Sequence, residues 1–316
     1  MINAMKQRLL AGSPALGIVL GMGSPTVAGI AARCGFDFVL VDNQHGDWDD
    51  TTTLAAFRAI SLGNAVPVAR VRQNDFYAIG RLLDRGALGL VVPMVNSANE
   101  ARAAAFAMRY PPYGGRSFAG SLAVHFGPDY DTWADREVFL AVQIETAQAA
   151  EHADEIMAVE GVDGCWIGPM DLARSLGVGV GTLAHQAAIL NVLNACSKTG
   201  KIPGIYTPNA ATARLRIEQG FRFVTVADDG GLIADGAQEV LRQLDERLGI
   251  SKIIEVFVMG RSPDHPHISQ RSLLCRPSKS SSPISAIPIT ASKPGSSTAQ
   301  VSISTSSVCR PGRRRS

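Results

Sequence analysis

Two carboxylates stand where short apolar runs stop: Glu145 closes FLAVQIE (139–145), and Asp171 follows GCWIGPM (164–170). The segment between them has the look of a helix. A strand, a helix and a second strand make a unit whose strands run parallel, with their C-terminal ends on one face. Glu145 and Asp171 are therefore expected side by side above neighbouring strand ends. Carboxylates at that spacing repel and need a proton, a cationic side chain or a metal between them. A hard cation such as Mg²⁺, held by one or two carboxylates plus water and substrate oxygens, suits an all-oxygen set best.

Other chemistry-bearing residues end other apolar runs. Asp42-Asn43-Gln44-His45-Gly46 follows FDFVLV, Arg70 ends AVPVAR, and Gln143 precedes Glu145 by two positions. Gly168-Pro169-Met170 leads into Asp171. A lone histidine or arginine is commonly a core or solvated group, but here an imidazole, a guanidinium and two carboxylates fall on one rim. Two carboxylates and a metal chelate a 2-oxo acid through its ketone and carboxylate oxygens, the metal acting as Lewis acid on developing enolate charge. The helix after Pro169 offers N–H groups to the substrate carboxylate. Arg70 places positive charge where the enolate oxygen forms, and His45 is the natural proton carrier near neutral pH. No lysine ends a strand, which argues against imine chemistry.

The elements that must position these residues are legible as eight strand-length runs: 16–22, 36–42, 65–71, 88–95, 139–145, 164–169, 203–207 and 221–226. They are continuous rather than alternating, as in parallel strands covered on both faces. Helix punctuation separates them. Ser24-Pro25 and Ser97 with Glu100 read as N-termini, and Gly86, Gly161, Gly200 and Gly220 as helix ends. Eight such units over residues 1–250 is the arithmetic of an α/β protein with a (β/α)₈ TIM barrel; a doubly wound sheet is the alternative. The long Gly-, Pro- and aromatic-rich stretch 109–137 reads as an insertion after strand four, on the active face, serving as a lid or a subunit contact.

Of the 316 residues 46% are hydrophobic, enough for one large core. Residues 251–316 differ: they hold 17 Ser, 7 Pro and ten Lys/Arg against two Asp/Glu, and end in RPGRRRS. This composition reads as a disordered basic tail. The remainder is mildly acidic and has no basic stripe interleaved with aromatics, so nucleic acid is not an expected partner. The five cysteines form no CxxC pair, as in a protein with free thiols in a reducing compartment. No apolar run reaches the ~18 residues of a membrane span, and the N-terminus lacks a signal-peptide core. A soluble, cytoplasmic protein with no membrane partner is expected.

The segments FDFVLVDNQHG, VPVARV, LGLVVPMVNSANEARAA, RYPPYGGRS, VQIET and VEGVDGCWIGPMDLARSLG occur in this order. With them the chain resembles, over about residues 12–248, the HpcH/HpaI aldolase family, the metal-dependent class II pyruvate aldolases. The resemblance implies a (β/α)₈ barrel, a homo-oligomer that is usually a hexamer with exchanged C-terminal helices, and carbon–carbon cleavage of a 2-oxo acid through a pyruvate enolate with Mg²⁺, Mn²⁺ or Co²⁺. It places the metal ligands on Glu145 and Asp171. Substrate contacts fall on Gln143, Met170 and Asp171, with Gly168 in the same turn. His45 is implied as general base, Arg70 as the transition-state arginine, and Asp84 as a carboxylate that raises the basicity of the histidine. By its own position, however, Asp84 ends a helix, which in a barrel points to the opposite face. Gln44 departs from the glutamate common in the family, removing a charge near the metal. The alternatives are an oxaloacetate decarboxylase of the macrophomate-synthase type and a non-catalytic barrel subunit.

Overall fold

A computed structural model describes residues 3–119 and 126–248. Eight strands are present among them: β1 (Ala15–Leu20), β2 (Phe38–Asp42), β3 (Val66–Arg70), β4 (Gly89–Val92), β5 (Phe139–Ile144), β6 (Gly164–Ile167), β7 (Gly204–Tyr206) and β8 (Phe223–Asp228). Each pairs in parallel with the next, and β8 pairs with β1 to close the barrel. The expected TIM barrel is the observed fold. The tail read at 251–316 lies outside the described residues.

Alternation along the strands creates two buried layers. Val39, Val41, Ala69, Leu90, Leu140, Val142, Cys165, Ile167 and Val224 face outward into a core shared with the helices. Phe38, Leu40, Val68, Val91, Phe139, Ala141, Trp166 and Phe223 belong to the interior cluster. The strands read as continuous apolar runs because both faces are dry.

The N-terminal end of the barrel is a solid floor. Phe223 stacks on Phe38 with centroids 4.5 Å apart and meets Phe139 at 5.1 Å. Gly17 leaves room for this, since a Cβ there would come within 2.2 Å of the Phe38 ring. Helix α1 (Ala4–Leu10) buries Met5 and Leu9 in the same cluster.

Helices α2 (Pro25–Ala31), α3 (Asp50–Ile60), α4 (Phe76–Asp84) and α5 (Ala98–Met108) follow the first four strands. Ser24 caps α2 through Val27 N–H, as its sequence predicts. At α5 the capping box is half formed: Ser97 accepts Glu100 N–H at 3.3 Å, but the Glu100 carboxylate takes Asn96 N–H instead. The stretch 109–137 follows α5 rather than β4, because ARAAAFAMR is helical. It therefore starts from the floor side, away from the mouth. Its described part includes α6 (Tyr130–Glu137), and its Tyr110, Tyr130 and Trp133 join the floor cluster with Met5 and Phe139. None of these described residues reaches over the barrel mouth as a lid.

The second half adds α7 (Ala147–Glu151), α8 (Ala153–Met157), α9 (Pro169–Ser175), α10 (Leu183–Thr199), α11 (Ala210–Glu218) and α12 (Asp229–Leu248). Gly200 ends α10 in the left-handed conformation, φ 70°. The β8–β1 seam is fastened by Asp229, whose carboxylate accepts Gly21 N–H at 2.9 Å and Met22 N–H at 3.0 Å.

Candidate active site

At the C-terminal ends of the strands the inward positions become polar. Asp42 and Arg70 are register partners on β2 and β3 and both are buried. Arg70 donates Nε–H to Asp42 Oδ1 at 2.8 Å and Nη2–H to Oδ2 in a shorter contact. Its guanidinium carbon sits 5.4 Å from the Trp166 ring centroid. A bidentate pair over an aromatic face fixes the plane of the arginine fork. Asp42 Oδ1 also accepts the N–H groups of Gln44 and His45, at 3.0 and 3.3 Å, which shapes the loop presenting His45.

Glu145 is buried just beyond β5. Its Oε1 accepts Met94 N–H at 2.8 Å and its Oε2 accepts from Gln143 Nε2 at 2.5 Å. Burial pushes its carboxyl above the usual range; the Met94 bond and Arg70 pull the other way, and Asp171 adds to the rise. Gly168 lies against this acid so closely that a Cβ would meet Gln143 Nε2 at 3.1 Å and Glu145 Oε2 at 3.2 Å. Asp171, in the first turn of α9, is half exposed and paired with Arg174 at 3.3 Å.

His45, Arg70, Gln143, Gly168, Met170 and Asp171 line one cavity of about 180 Å³, with Val19, Trp166, Pro169 and Tyr206 as its other walls. Asp84 is not among them. It ends α4 on the floor side, accepts from Arg116 Nη2 at 3.1 Å and borders a different cavity. Helices of a barrel run back against the strands, so a helix C-terminus points away from the mouth. Arg116 itself is buried over Tyr110, 4.7 Å from the ring centroid. Within one chain Asp84 and His45 are not brought together. Gln44 borders a third cavity with Arg72 and Met94, and its buried Oε1 has no hydrogen-bond partner.

Asp42, Trp166 and Tyr206 were given no role from the sequence. For Asp42 the available signal was its equal depth with Arg70 at the ends of successive strands.

The donor set favours a hard cation. The carboxylates of Glu145 and Asp171 and the buried, unpartnered Oε1 of Gln143 are all oxygen ligands, while Arg70 is paired with Asp42. Among the described residues no group of three or more His, Cys, Asp or Glu side chains is placed to hold a metal. Two carboxylates with open positions fit Mg²⁺-like coordination, in which water and substrate complete the shell.

Comparison with known proteins identifies the family. Residues 16–236 match the model of the HpcH/HpaI aldolase/citrate lyase family. The chain is 41% identical over 245 residues to a 4-hydroxy-2-oxo-heptane-1,7-dioate aldolase of Klebsiella pneumoniae, covering 75% of this chain and 92% of that one. A Salmonella newport protein of the same name is 39% identical over 259 residues, covering 80% and 97%. Among solved structures, an HpcH/HpaI aldolase/citrate lyase family protein from Burkholderia cenocepacia superposes with TM-score 0.73 at 32% identity, covering 77% of this chain and 99% of that one. Macrophomate synthase gives 0.68 at 26% identity, covering 77% and 89%. The chain belongs to the HpcH/HpaI aldolase/citrate lyase family and is a carbon–carbon lyase of the aldolase type.

Proposed function

We propose that the protein is a divalent-metal-dependent aldolase that cleaves 4-hydroxy-2-oxo acids through a pyruvate enolate. The observation that carries this is the set of oxygen acceptors beside a clamped Arg70: Gln143 and Asp171 line its cavity, and Glu145 lies buried directly behind Gln143, bonded to its Nε2. Glu145 and Asp171 would hold the metal, which when bound supplies Lewis-acid polarisation of the substrate ketone. Gly168 contributes no capping side chain at the start of α9, so the N–H groups of Met170 and Asp171 serve the substrate carboxylate. His45 removes the proton from the C4 hydroxyl. The C3–C4 bond then breaks, the aldehyde leaves, and the electron pair passes into the enolate whose oxygen Arg70 stabilises. A proton delivered to C3 completes pyruvate.

The same enolate arises from oxaloacetate by loss of CO₂, a reading supported by the likeness to macrophomate synthase. That route needs no base at a hydroxyl, so His45→Ala separates the two. It should stop cleavage of 4-hydroxy-2-oxo acids and spare decarboxylation.

The role that family resemblance gives Asp84 would have to be exercised on the His45 of another chain. Helix α12 supports self-association, because it leaves Leu232, Ile233, Val240, Leu241 and Leu244 about half exposed. A homohexamer with exchanged C-terminal helices is the assembly we propose, with residues 1–250 as the catalytic unit. The cytoplasm is the proposed compartment, supported by the buried free thiols Cys165 and Cys196. Among the described residues no helix is long and apolar enough to cross a membrane.

Pyruvate release from 4-hydroxy-2-oxo acids, and deuterium exchange at the pyruvate methyl in D₂O, test the mechanism. Both should vanish with chelator and return with Mg²⁺, Mn²⁺ or Co²⁺. Full turnover by metal-stripped enzyme would overturn it.

A further inference from the structure

Helix α9 carries two site residues, Met170 and Asp171, and is anchored just beyond them by the buried Leu172 and Ala173. It has seven residues and no side-chain cap, and Gly168 is tied back by its N–H to Ile144 C=O at 3.2 Å. A side chain from the next helix supplies another hold. His185, in the first turn of α10, is 1% exposed. Its Nδ1 lies 3.0 Å from Gly181 N, and its Nε2 lies 2.9 Å from Pro169 O.

These partners fix the ring chemically. A backbone N–H only donates and a carbonyl only accepts, so Nδ1 is the bare nitrogen and Nε2 carries the hydrogen. A protonated ring would set Nδ1–H against Gly181 N–H, and the other tautomer would fail at both ends. Burial and the neighbouring Arg216 both hold the imidazole below its ordinary range, against the pull of the Pro169 bond, so the bridge stays neutral. The carbonyl it grips is two residues before Asp171.

Chelation of a cation shared by Glu145 and Asp171 needs the turn between Gly168 and Asp171 held at a fixed distance from β5. We propose that His185 is a positioning residue for this site, its Nε2–H bond to Pro169 C=O setting the distance of Asp171 from Glu145. This rests on the metal reading above and extends it to a residue outside the cavity. Loss of a group that orients a metal ligand costs about 10–100-fold in metal affinity.

Calorimetry with Mg²⁺ and Mn²⁺ on wild type, His185→Gln, His185→Asn and Glu145→Gln tests it. Glutamine places an amide N–H near the position of Nε2, and asparagine an acceptor near that of Nδ1. His185→Asn should bind metal about tenfold or more weakly, and His185→Gln within about threefold of wild type, at equal circular dichroism. A purely structural role would instead lower affinity in both variants in step with melting temperature, and that outcome, or wild-type affinity in His185→Asn, overturns the proposal. Histidine ¹⁵N spectra of the unmutated protein give a check independent of variant folding. A neutral Nε2–H ring is expected at pH 7, and an imidazolium or the opposite tautomer sinks the idea. Should wild type bind no metal, or Glu145→Gln bind as well as wild type, the metal reading itself fails and this inference falls with it.

Discussion

The two ends of the barrel interior use the same alternating strand positions for opposite purposes. At the N-terminal end Phe38, Phe139 and Phe223 press together over Met5 and Leu9. Toward the C-terminal end of the same β2 and β5 strands, the inward positions are Asp42 and Gln143, with Glu145 one step beyond, and Arg70 ends β3. The floor gains free energy by excluding water. The mouth loses some by burying charge, as the raised Glu145 carboxyl shows. Stability and chemistry are therefore separated along the barrel axis, and substitutions at either end should report different quantities.

The largest effect is expected at the floor. Phe223→Ala removes a ring that contacts two others, and truncation of a buried phenylalanine costs about 3–5 kcal/mol. Denaturant melts should show that loss, while metal affinity of the folded fraction stays near wild type. A comparable fall in metal affinity would mean that the two ends are not separable.

At the mouth, Arg70→Ala should lower turnover by about 10²–10³, the cost of removing one charge-stabilising donor. Cleavage and decarboxylation should fall together, since both pass through the enolate. Lysine keeps the charge but loses the planar fork that grips Asp42, so Arg70→Lys should recover little. Metal binding measured by calorimetry should survive both changes. Near-normal turnover in Arg70→Ala would remove the arginine from the mechanism.

The smallest effect has the opposite sign. Because the folded-state carboxyl of Glu145 is raised, ionising it costs stability. That cost is absent below the ordinary carboxylate range, grows as pH rises through it, and is fully present above the raised value. Metal-free Glu145→Gln should therefore melt slightly higher than wild type at pH 7, with the difference fading toward pH 4. Added Mg²⁺ should stabilise wild type alone. A lower melting point for metal-free Glu145→Gln at pH 7 would show that hydrogen bonding at this position outweighs desolvation.

The barrel and most of its mouth were legible because strand ends are marked by where apolar runs stop. His45, Arg70, Gln143, Gly168, Met170 and Asp171 all stand at such stops and share one cavity. Asp42 stands at one too, but its role depends on the β2–β3 register that sets it opposite Arg70, and register is not written in either strand alone. His185 was invisible for another reason. It sits on the buried side of α10 among Ile189 and Val192, where a histidine looks like any other core residue until both ring nitrogens are traced to their partners. The placement of 109–137 failed on counting elements: once ARAAAFAMR is helical, the stretch starts from the other end of the barrel.

The seam between β8 and β1 has a consequence in time. Asp229 reaches back to Gly21 and Met22, so the barrel cannot close until the chain has been made through β8. At about 5–20 residues per second, roughly ten to fifty seconds of synthesis pass before that contact is possible. Throughout that interval β1 carries an unpaired edge, and the newest strand carries another. Open edges of apolar strands pair readily with those of other chains, so the nascent protein is most exposed to aggregation while its ring is incomplete, and the Asp229 clasp is among the contacts that end the exposure.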